Sequence, residues 1–459
     1  MVLSSSVLKK LEKIVGKSDL TVKKEELLCY SYDATGTSYL PDAVIFPRTE
    51  DQVSRIFALA SREKFFVIPR GSGSGMTGGA VPVDGGLVLV TSKMNRIIDI
   101  DGDNFIARVE PGVIVSDLHG AVEAKGLFYP PDPASSSVCT IGGNIGECAG
   151  GPRAVKYGVT RDYVLGLRAV LPSGEIIKTG VSTAKGVAGY DLTRLIVGSE
   201  GTLALVTQIT LKLLPKPGAV KTMAVFFNKM ETAAKTVSAV MKHAVVPRCV
   251  EYLDGASIAL VRDLLSFDLP TDIEALLILE LDGSDDLVEK EAEQIKGFCQ
   301  GQGAAKVLIA ADAREAATLW EARKALSPVL YKIAPNKINE DIVVPISKIP
   351  EMVSIIGGIQ ERSGLTVVSF GHAGDGNIHC NIMYDKTDPH QSEKAHKAVD
   401  ELFDATLKLG GSITGEHGVG ITKMEFLPRE IGPREIDLMK GIKAVFDPQN
   451  ILNPGKIFS

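Results

Sequence analysis

What this sequence lacks narrows it first. No run of residues is long and apolar enough to span a bilayer. The opening stretch, MVLSSSVLKKLEKIVG, keeps Leu8, Leu11 and Val15 at helical spacing, but Lys9, Lys10, Glu12 and Lys13 interrupt any signal-peptide core. Cysteine is sparse: Cys29, Cys139, Cys148, Cys249, Cys299 and Cys380 are too scattered for a disulfide scaffold, a metal knuckle or an iron–sulfur cluster. Positive charge is not in excess. A net charge of −6 and a pI near 5.8, with both signs interspersed, give no footprint for nucleic acid and no polybasic patch for an anionic membrane. There is no internal repeat and no low-complexity segment. The expectation is a cytoplasmic protein of two or three domains, peripheral to a membrane only through a partner, since 459 residues exceed one ordinary core.

Glycine, by contrast, is abundant at 46 residues, and much of it is gathered in loops. A short strand at 43–46 leads through Thr49, Glu50 and Asp51 into a helix ending near Lys64, and a strand at 65–68 delivers the chain into PRGSGSGMTGGAVP. Consecutive main-chain amides in such a loop form a nest suited to phosphate. Gly73, Gly75 and Gly78 satisfy GxGxxG, with Asp99 about where that fingerprint expects an acid. The fingerprint must open a helix, however. Pro82 and Gly85-Gly86 break one, and 87–90 read as another strand, so the match is accidental. Strands at 97–100 and 106–109 and a helix at 115–125 follow. Two further stretches, PPDPASSSVCTIGGNIGECAGG and GYDLTRLIVGSEGTLALVTQITLKLLPKP, read as large loops on either side of a strand at 165–171. Pro215 to Gly218 reads as a linker. Beyond it the texture becomes strands (222–227, 275–281) alternating with helices (231–243, 286–300), a half-buried sheet with helices on one face. Helices at 312–326 and 389–409 and a loop-rich tail from Ala444 complete the chain.

Chemistry concentrates in FGHAGDGNIHCN (370–381) and TGEHG (414–418), which hold three of the seven histidines. Strands at 367–370 and 377–383 joined by a turn around Asp375 place His372 and His379 across the mouth of a hairpin, and Glu416 offers a carboxylate. Two histidines and one carboxylate with open positions suit a divalent metal.

The motifs PRGSGSGMTGG, PPDPASSSVCTIGGN, GSEGTLALVT, FGHAGDGNIHCN, TGEHGVG and DPQNILNPGK, in that order, resemble the flavin-linked D-2-hydroxy acid dehydrogenases, the group of D-lactate dehydrogenases and the catalytic glycolate oxidase subunit. The resemblance implies an α+β fold: a two-subdomain FAD-binding domain of the vanillyl-alcohol-oxidase (PCMH) type over 1–217, an α+β cap domain with an antiparallel sheet over 218–410, and a segment, 411–459, returning to the first. It implies that Gly71, Ser72, Gly73, Ser74, Gly75 and Met76, following Arg70, wrap the FAD pyrophosphate. Residues from Pro131, Asp132 and Pro133 to Thr140, then Gly143, Asn144, Ala149 and Gly150, line the flavin. Glu200, Gly201 and Val206 hold the adenine side, and Tyr157 and Asn453 complete the FAD-binding set. Many relatives tether FAD through a histidine in the first loop. Here that loop offers only Ser72, Ser74, Met76 and Thr77, so noncovalent FAD is expected, with Cys139 a buried packing residue.

Oxidising a 2-hydroxy acid needs a base, a cation to polarise the hydroxyl and an anchor for the carboxylate. By resemblance His417 is the base, and zinc, manganese or iron at His372, His379 and Glu416 is the Lewis acid. Arg323, one helical turn from Ser327, is the carboxylate anchor. D-2-hydroxyglutarate enzymes carry a lysine where Asn339 stands, with Lys337 close but out of step, which favours a small monocarboxylate such as D-lactate or glycolate. With no cluster spacing and no nicotinamide fingerprint, electrons are expected to leave for a separate iron–sulfur subunit or electron-transferring flavoprotein. The alternative class is a flavin-free metal-dependent hydrolase or lyase built on the same His, His and Glu.

Overall fold

A computed structural model describes residues 3–265 and 272–458. The chain folds into two compact units, Met1–Gly150 with Gly158–Lys216 and Glu416–Ser459, and Gly151–Tyr157 with Pro217–Gly415. The chain therefore re-enters the first unit at Glu416 rather than at 411, and a seven-residue piece after Gly150 goes with the second.

The first unit holds two main sheets. In one, Ala43–Ile45, Leu87–Val90 and Val67–Arg70 run parallel in that spatial order, with Leu20–Thr21 antiparallel at the edge. The helix Glu50–Glu63 forms because Thr49 caps it, its Oγ1 accepting from the Gln52 amide, and because Val53, Ile56, Phe57 and Ala60 make one apolar stripe. It packs with the helix Ser5–Val15 over Ala43, Ile45, Leu87 and Leu89. No helix lies between Val67–Arg70 and Leu87–Val90, so the Gly-rich loop is strand-to-strand as its prolines require. The other sheet is antiparallel, in the order Ile97–Asp101, Ile106–Val109, Leu205–Lys212, Val164–Val170, Ile176–Gly180.

Two expected loops contain regular structure. Ile141–Glu147 is a helix whose cap is Thr140, with Oγ1 accepting from the Gly143 amide at 3.1 Å. Its glycines are steric requirements: a Cβ at Gly142 would lie 2.6 Å from Pro111 Cβ and 2.9 Å from Pro111 O, so only glycine lets the helix start against that turn. In the next stretch, Leu192–Ile196 is helical and Leu205–Lys212 is a central strand. The expected linker begins as structure too, because Leu214–Pro215 pairs with Leu127–Phe128.

The second unit is built on a seven-stranded antiparallel sheet, in the order Lys306–Ile309, Ala219–Phe227, Ala275–Gly283, Cys249–Asp254, Thr366–His372, Asn377–Tyr384, Asn336–Val343. It is covered on both faces, not one. Leu276 and Ile278 pack with Leu319, Ala322 and Leu326 of the helix Ala313–Val329, while the alternate residues Leu277, Leu279 and Leu281 point the other way and are equally buried, on the side met by the helix Asp285–Gly301.

Candidate active site

In the first unit the glycine-rich segments converge on two cavities. One, of about 670 Å³, is walled by Arg70, Gly71, Pro111, Ile145, Ile196, Glu200, Gly201, Leu205 and Val206 among others. The second, of about 920 Å³, is walled by Gly71, Ser72, Gly73, Ser74, Gly75, Met76, Pro133, Thr140, Gly143, Asn144, Ala149, Glu416 and His417. Gly71, Ala80, Gly143 and Glu147 line both, so the two adjoin.

Within this unit the segment from Glu416 is fastened to the glycine loop. Thr77 Oγ1 donates to the His417 carbonyl at 3.0 Å, the Ile421 amide donates to the Thr77 carbonyl at 2.8 Å, and Glu200 accepts the amides of Val419 and Gly420 at 2.8 and 2.6 Å. Asn453 Nδ2 donates to the carbonyls of Gly79 and Glu200 at 2.9 and 2.8 Å; it braces two of the walls without lining either cavity.

The lining suits FAD on its own chemistry. Arg70 Nη1, Asn144 Nδ2 and Glu147 Oε2 are buried atoms with no hydrogen-bond partner among the described residues, which a native interior rarely tolerates unless a bound molecule satisfies them. Burial holds the Arg70 guanidinium below its ordinary pKa, so an anion beside it is favourable. Cys139 is buried and its thiol is pushed up by that burial, which keeps it un-ionised and inert.

Several expected cofactor residues stand elsewhere. Pro131 and Asp132 are not on either wall, and the Pro131 carbonyl is instead 2.9 Å from His119 Nε2. Gly150 lies against Glu416, where a Cβ would come within 2.8 Å of Oε2. Tyr157 belongs to the second unit, where its hydroxyl donates to Asp282 at 2.7 Å beside Lys156 Nζ, 2.5 Å from the same carboxylate. That latch explains why Gly151–Tyr157 departs from the sequence around it.

In the second unit one face of the sheet carries a polar end. Strand register sets it: Asp341 pairs with His379, Phe370 with His379, and Glu251 with His372, so these side chains project to one side. The turn after Thr366–His372 is closed by the Asp375 amide on the His372 carbonyl and by Asp375 Oδ1 accepting from the Asn377 amide, both at 3.3 Å. As expected, the hairpin brings its two imidazoles together, with centroids 5.2 Å apart and planes at 85°.

Each has a buried carboxylate behind its Nδ1. His372 Nδ1 donates to Glu251 Oε1, and His379 Nδ1 lies 4.0 Å from Asp341 Oδ1. Asp341 also accepts from Asn377 Nδ2 at 2.6 Å, from the Gly415 amide at 3.0 Å and from Thr414 Oγ1 at 3.2 Å. With Nδ1 turned toward a carboxylate, a metal would be met by Nε2, the orientation that backing carboxylates impose on ligand histidines.

Arg323 is buried on the same face. Its Nε donates to Glu251 Oε2 at 2.8 Å and its guanidinium stacks 4.7 Å from the Phe370 centroid, while its two Nη groups make no hydrogen bond among the described residues. Ser327 does not assist it; its hydroxyl accepts from Lys337 Nζ at 2.7 Å. Lys337 shares a face with Asn339 and Asp341, because strand positions two apart point the same way. Asn339 Nδ2 meanwhile donates to Asn381 Oδ1 at 2.6 Å.

Glu251, Asp341 and Glu147 were not singled out from sequence. For Glu251 a signal existed: in CVEYLD it is a charge at the centre of a strand whose other residues, the terminal Asp254 apart, read apolar.

Comparison with known proteins matches residues 41–180 to an FAD binding domain and residues 216–457 to the C-terminal domain of FAD linked oxidases. The chain is 45% identical over 458 residues to the glycolate oxidase subunit GlcD of Bacillus subtilis, covering 100% of this chain and 97% of that one. It is 36% identical to the D-lactate dehydrogenase of Anaerostipes hadrus, covering 91% and 89%. Among solved structures, p-cresol methylhydroxylase superposes with a TM-score of 0.82 at 20% identity, covering 99% of this chain and 97% of that one.

Proposed function

The chain belongs to the FAD-linked oxidases, and on that premise we propose that it oxidises a small 2-hydroxy monocarboxylate of the D-lactate or glycolate class to the 2-oxo acid. The observation that carries this reading is the end-to-end match to a glycolate oxidase subunit. Family membership removes the flavin-free hydrolase alternative.

FAD, when bound, supplies the sink for the hydride that leaves the substrate's C2. His372, His379 and Glu416 would hold a divalent metal, which would polarise the substrate hydroxyl. The chain's own residues do the rest. His417 accepts the hydroxyl proton on its imidazole, and the Thr77 bond to its carbonyl fixes the backbone from which the ring is presented. Arg323 receives the substrate carboxylate on its Nη groups, an assignment supported by the rigid mounting of its Nε on Glu251 and its ring stacking on Phe370. Glu251 and Asp341 orient the two histidines. Electrons then pass to an external protein acceptor, an iron–sulfur subunit or electron-transferring flavoprotein, since the cysteines here are dispersed and all free.

The test is an anaerobic panel of glycolate, both lactate enantiomers, malate and 2-hydroxyglutarate, followed by bleaching of the enzyme-bound flavin. D-Lactate or glycolate should bleach it fastest. Bleaching by dicarboxylates alone would overturn the substrate class.

A further inference from the structure

Glu147, the last residue of the helix Ile141–Glu147, has no place in the chemistry above, yet it lines both cavities of the first unit at the place where they meet. The two cavities differ in character: one is walled by Ile145, Ile196, Leu205 and Val206, the other by the serines of the glycine loop and by Glu416 and His417. FAD is two ring systems joined through a pyrophosphate. If each ring occupies one cavity, the pyrophosphate falls at the shared wall of Gly71, Ala80, Gly143 and Glu147.

A carboxylate there is at first sight the wrong group. Phosphate oxygens and an ionised carboxylate both only accept hydrogen bonds, and two like charges without water repel strongly. A carboxylic acid, in contrast, donates. We propose that Glu147 donates a hydrogen bond from its protonated carboxyl to the FAD pyrophosphate, so that this chain retains its cofactor by means of one bound proton. The proposal rests on FAD occupying the cleft.

Three observations support it. The Oε2 atom is buried with no partner among the described residues, although a Cβ on Gly418 would touch it at 2.5 Å; main chain crowds the group without satisfying it. The neighbouring carboxyl, Glu200, is differently served. Burial raises its carboxyl too, but the two main-chain amides it accepts, with Lys423 and Lys456, pull the other way, so of the two buried acids Glu200 is the better placed to carry charge. Third, burial above all, and then the charges of Glu200 and Asp33, push the Glu147 carboxyl well above the ordinary range. The charged groups around the pair are thus Glu200, Asp33 with Arg70 near it, and Lys423 and Lys456 from the C-terminal segment, with Glu416 and His417 farther along the same wall.

Linkage fixes the sign. Where the apo carboxyl is ionised and the holo carboxyl is protonated, binding takes up a proton and affinity falls about tenfold per pH unit. FAD dissociation is measured from pH 6 to 9 by the fluorescence of released flavin, for the wild type and for Glu147→Gln, whose amide donates at every pH. Lys456, held down to about 8 by burial, titrates in the same interval, so the ratio of the two affinities is read rather than either profile. The expected ratio falls with rising pH, by up to about tenfold per unit, in favour of the glutamine variant. A ratio that stays constant above the pH at which the apo carboxyl ionises overturns the proposal. Proton uptake on mixing wild-type apoprotein with FAD in weak buffer needs no variant: above the pH at which the apo carboxyl ionises, uptake approaching one proton per FAD supports the assignment, and none there overturns it. A wild type that binds no FAD at any pH overturns the reading beneath it as well.

Discussion

Glu251 accepts from His372 Nδ1 on one carboxylate oxygen and from Arg323 Nε on the other, so a single buried side chain orients two functional groups. Burial alone would raise its carboxyl. The charges of His372 and Arg323 outweigh that and hold it below the ordinary range.

Replacing Glu251 by alanine leaves the Arg323 guanidinium without its anion and the His372 Nδ1–H without its acceptor in a dry site. A loss of about 3–5 kcal/mol in unfolding free energy is expected, read from denaturant midpoints at pH 7. For Glu251→Gln the milder outcome is weaker metal binding, by about 10–100-fold, measured by metal analysis after dialysis. The wild-type contribution has a pH sign: with the folded pKa depressed, it is complete above the unfolded carboxylate value and is lost as pH falls through the folded one. The glutamine variant should therefore lose less stability than the wild type as pH falls below about 4.3, where an unfolded glutamate titrates. Equal losses would remove Glu251 from that linkage.

His379→Ala should abolish metal binding and leave FAD in place, because the cofactor cavities belong to the first unit and the imidazole pair to the second. Full metal occupancy in that variant would move the site.

His417→Ala should retain FAD and metal and slow flavin reduction by substrate about 10²–10⁴-fold, the usual contribution of a positioned base. Stopped-flow reduction at saturating substrate measures it. A near-normal rate would transfer the base role to another residue.

Acid precipitation should release the flavin into the supernatant, since the first loop carries no histidine and the Cys139 thiol is buried and un-ionised. Gly142→Ala should drive Pro111 out of contact with the helix that walls the cavities, costing about 1–3 kcal/mol and reducing the FAD content of the purified protein. Undiminished FAD and stability would show that the close approach is relieved elsewhere.

Substrate-reduced enzyme should reoxidise slowly in air and rapidly with an artificial dye. Fast reaction with oxygen and stoichiometric peroxide would show that a protein acceptor is unnecessary.

Much of this was legible in advance where local chemistry decides. The Thr49 cap, the apolar stripe of Glu50–Glu63 and the hairpin bearing His372 and His379 depend on neighbours in sequence, and they form as expected. The helix Ile141–Glu147 was hidden because its glycines argue against a helix until Pro111, thirty residues earlier, is seen to require one of them. The two-sided burial of Ala275–Gly283 was hidden because an unbroken apolar run does not say how many faces are covered. Glu251 and the latch of Tyr157 on Asp282 share another cause: their partners lie far away in sequence, and no motif marks a residue whose role is to hold another.

The pairing of Val67 with Leu452, and the bonds from Asn453 to Gly79 and from Lys456 to Val81, have a consequence for the order of events at the ribosome. The glycine loop is among the first segments synthesised, but its braces come from residues 451–456, and an entire second unit is translated in between. During that interval the loop keeps its bond from the Ala34 amide to the Gly75 carbonyl but lacks the braces that come from the C-terminal segment. Tight cofactor loading is accordingly expected only once residues 451–456 are in place, and a nascent chain stalled before residue 451 should hold FAD more weakly than the finished one however completely its second unit has folded.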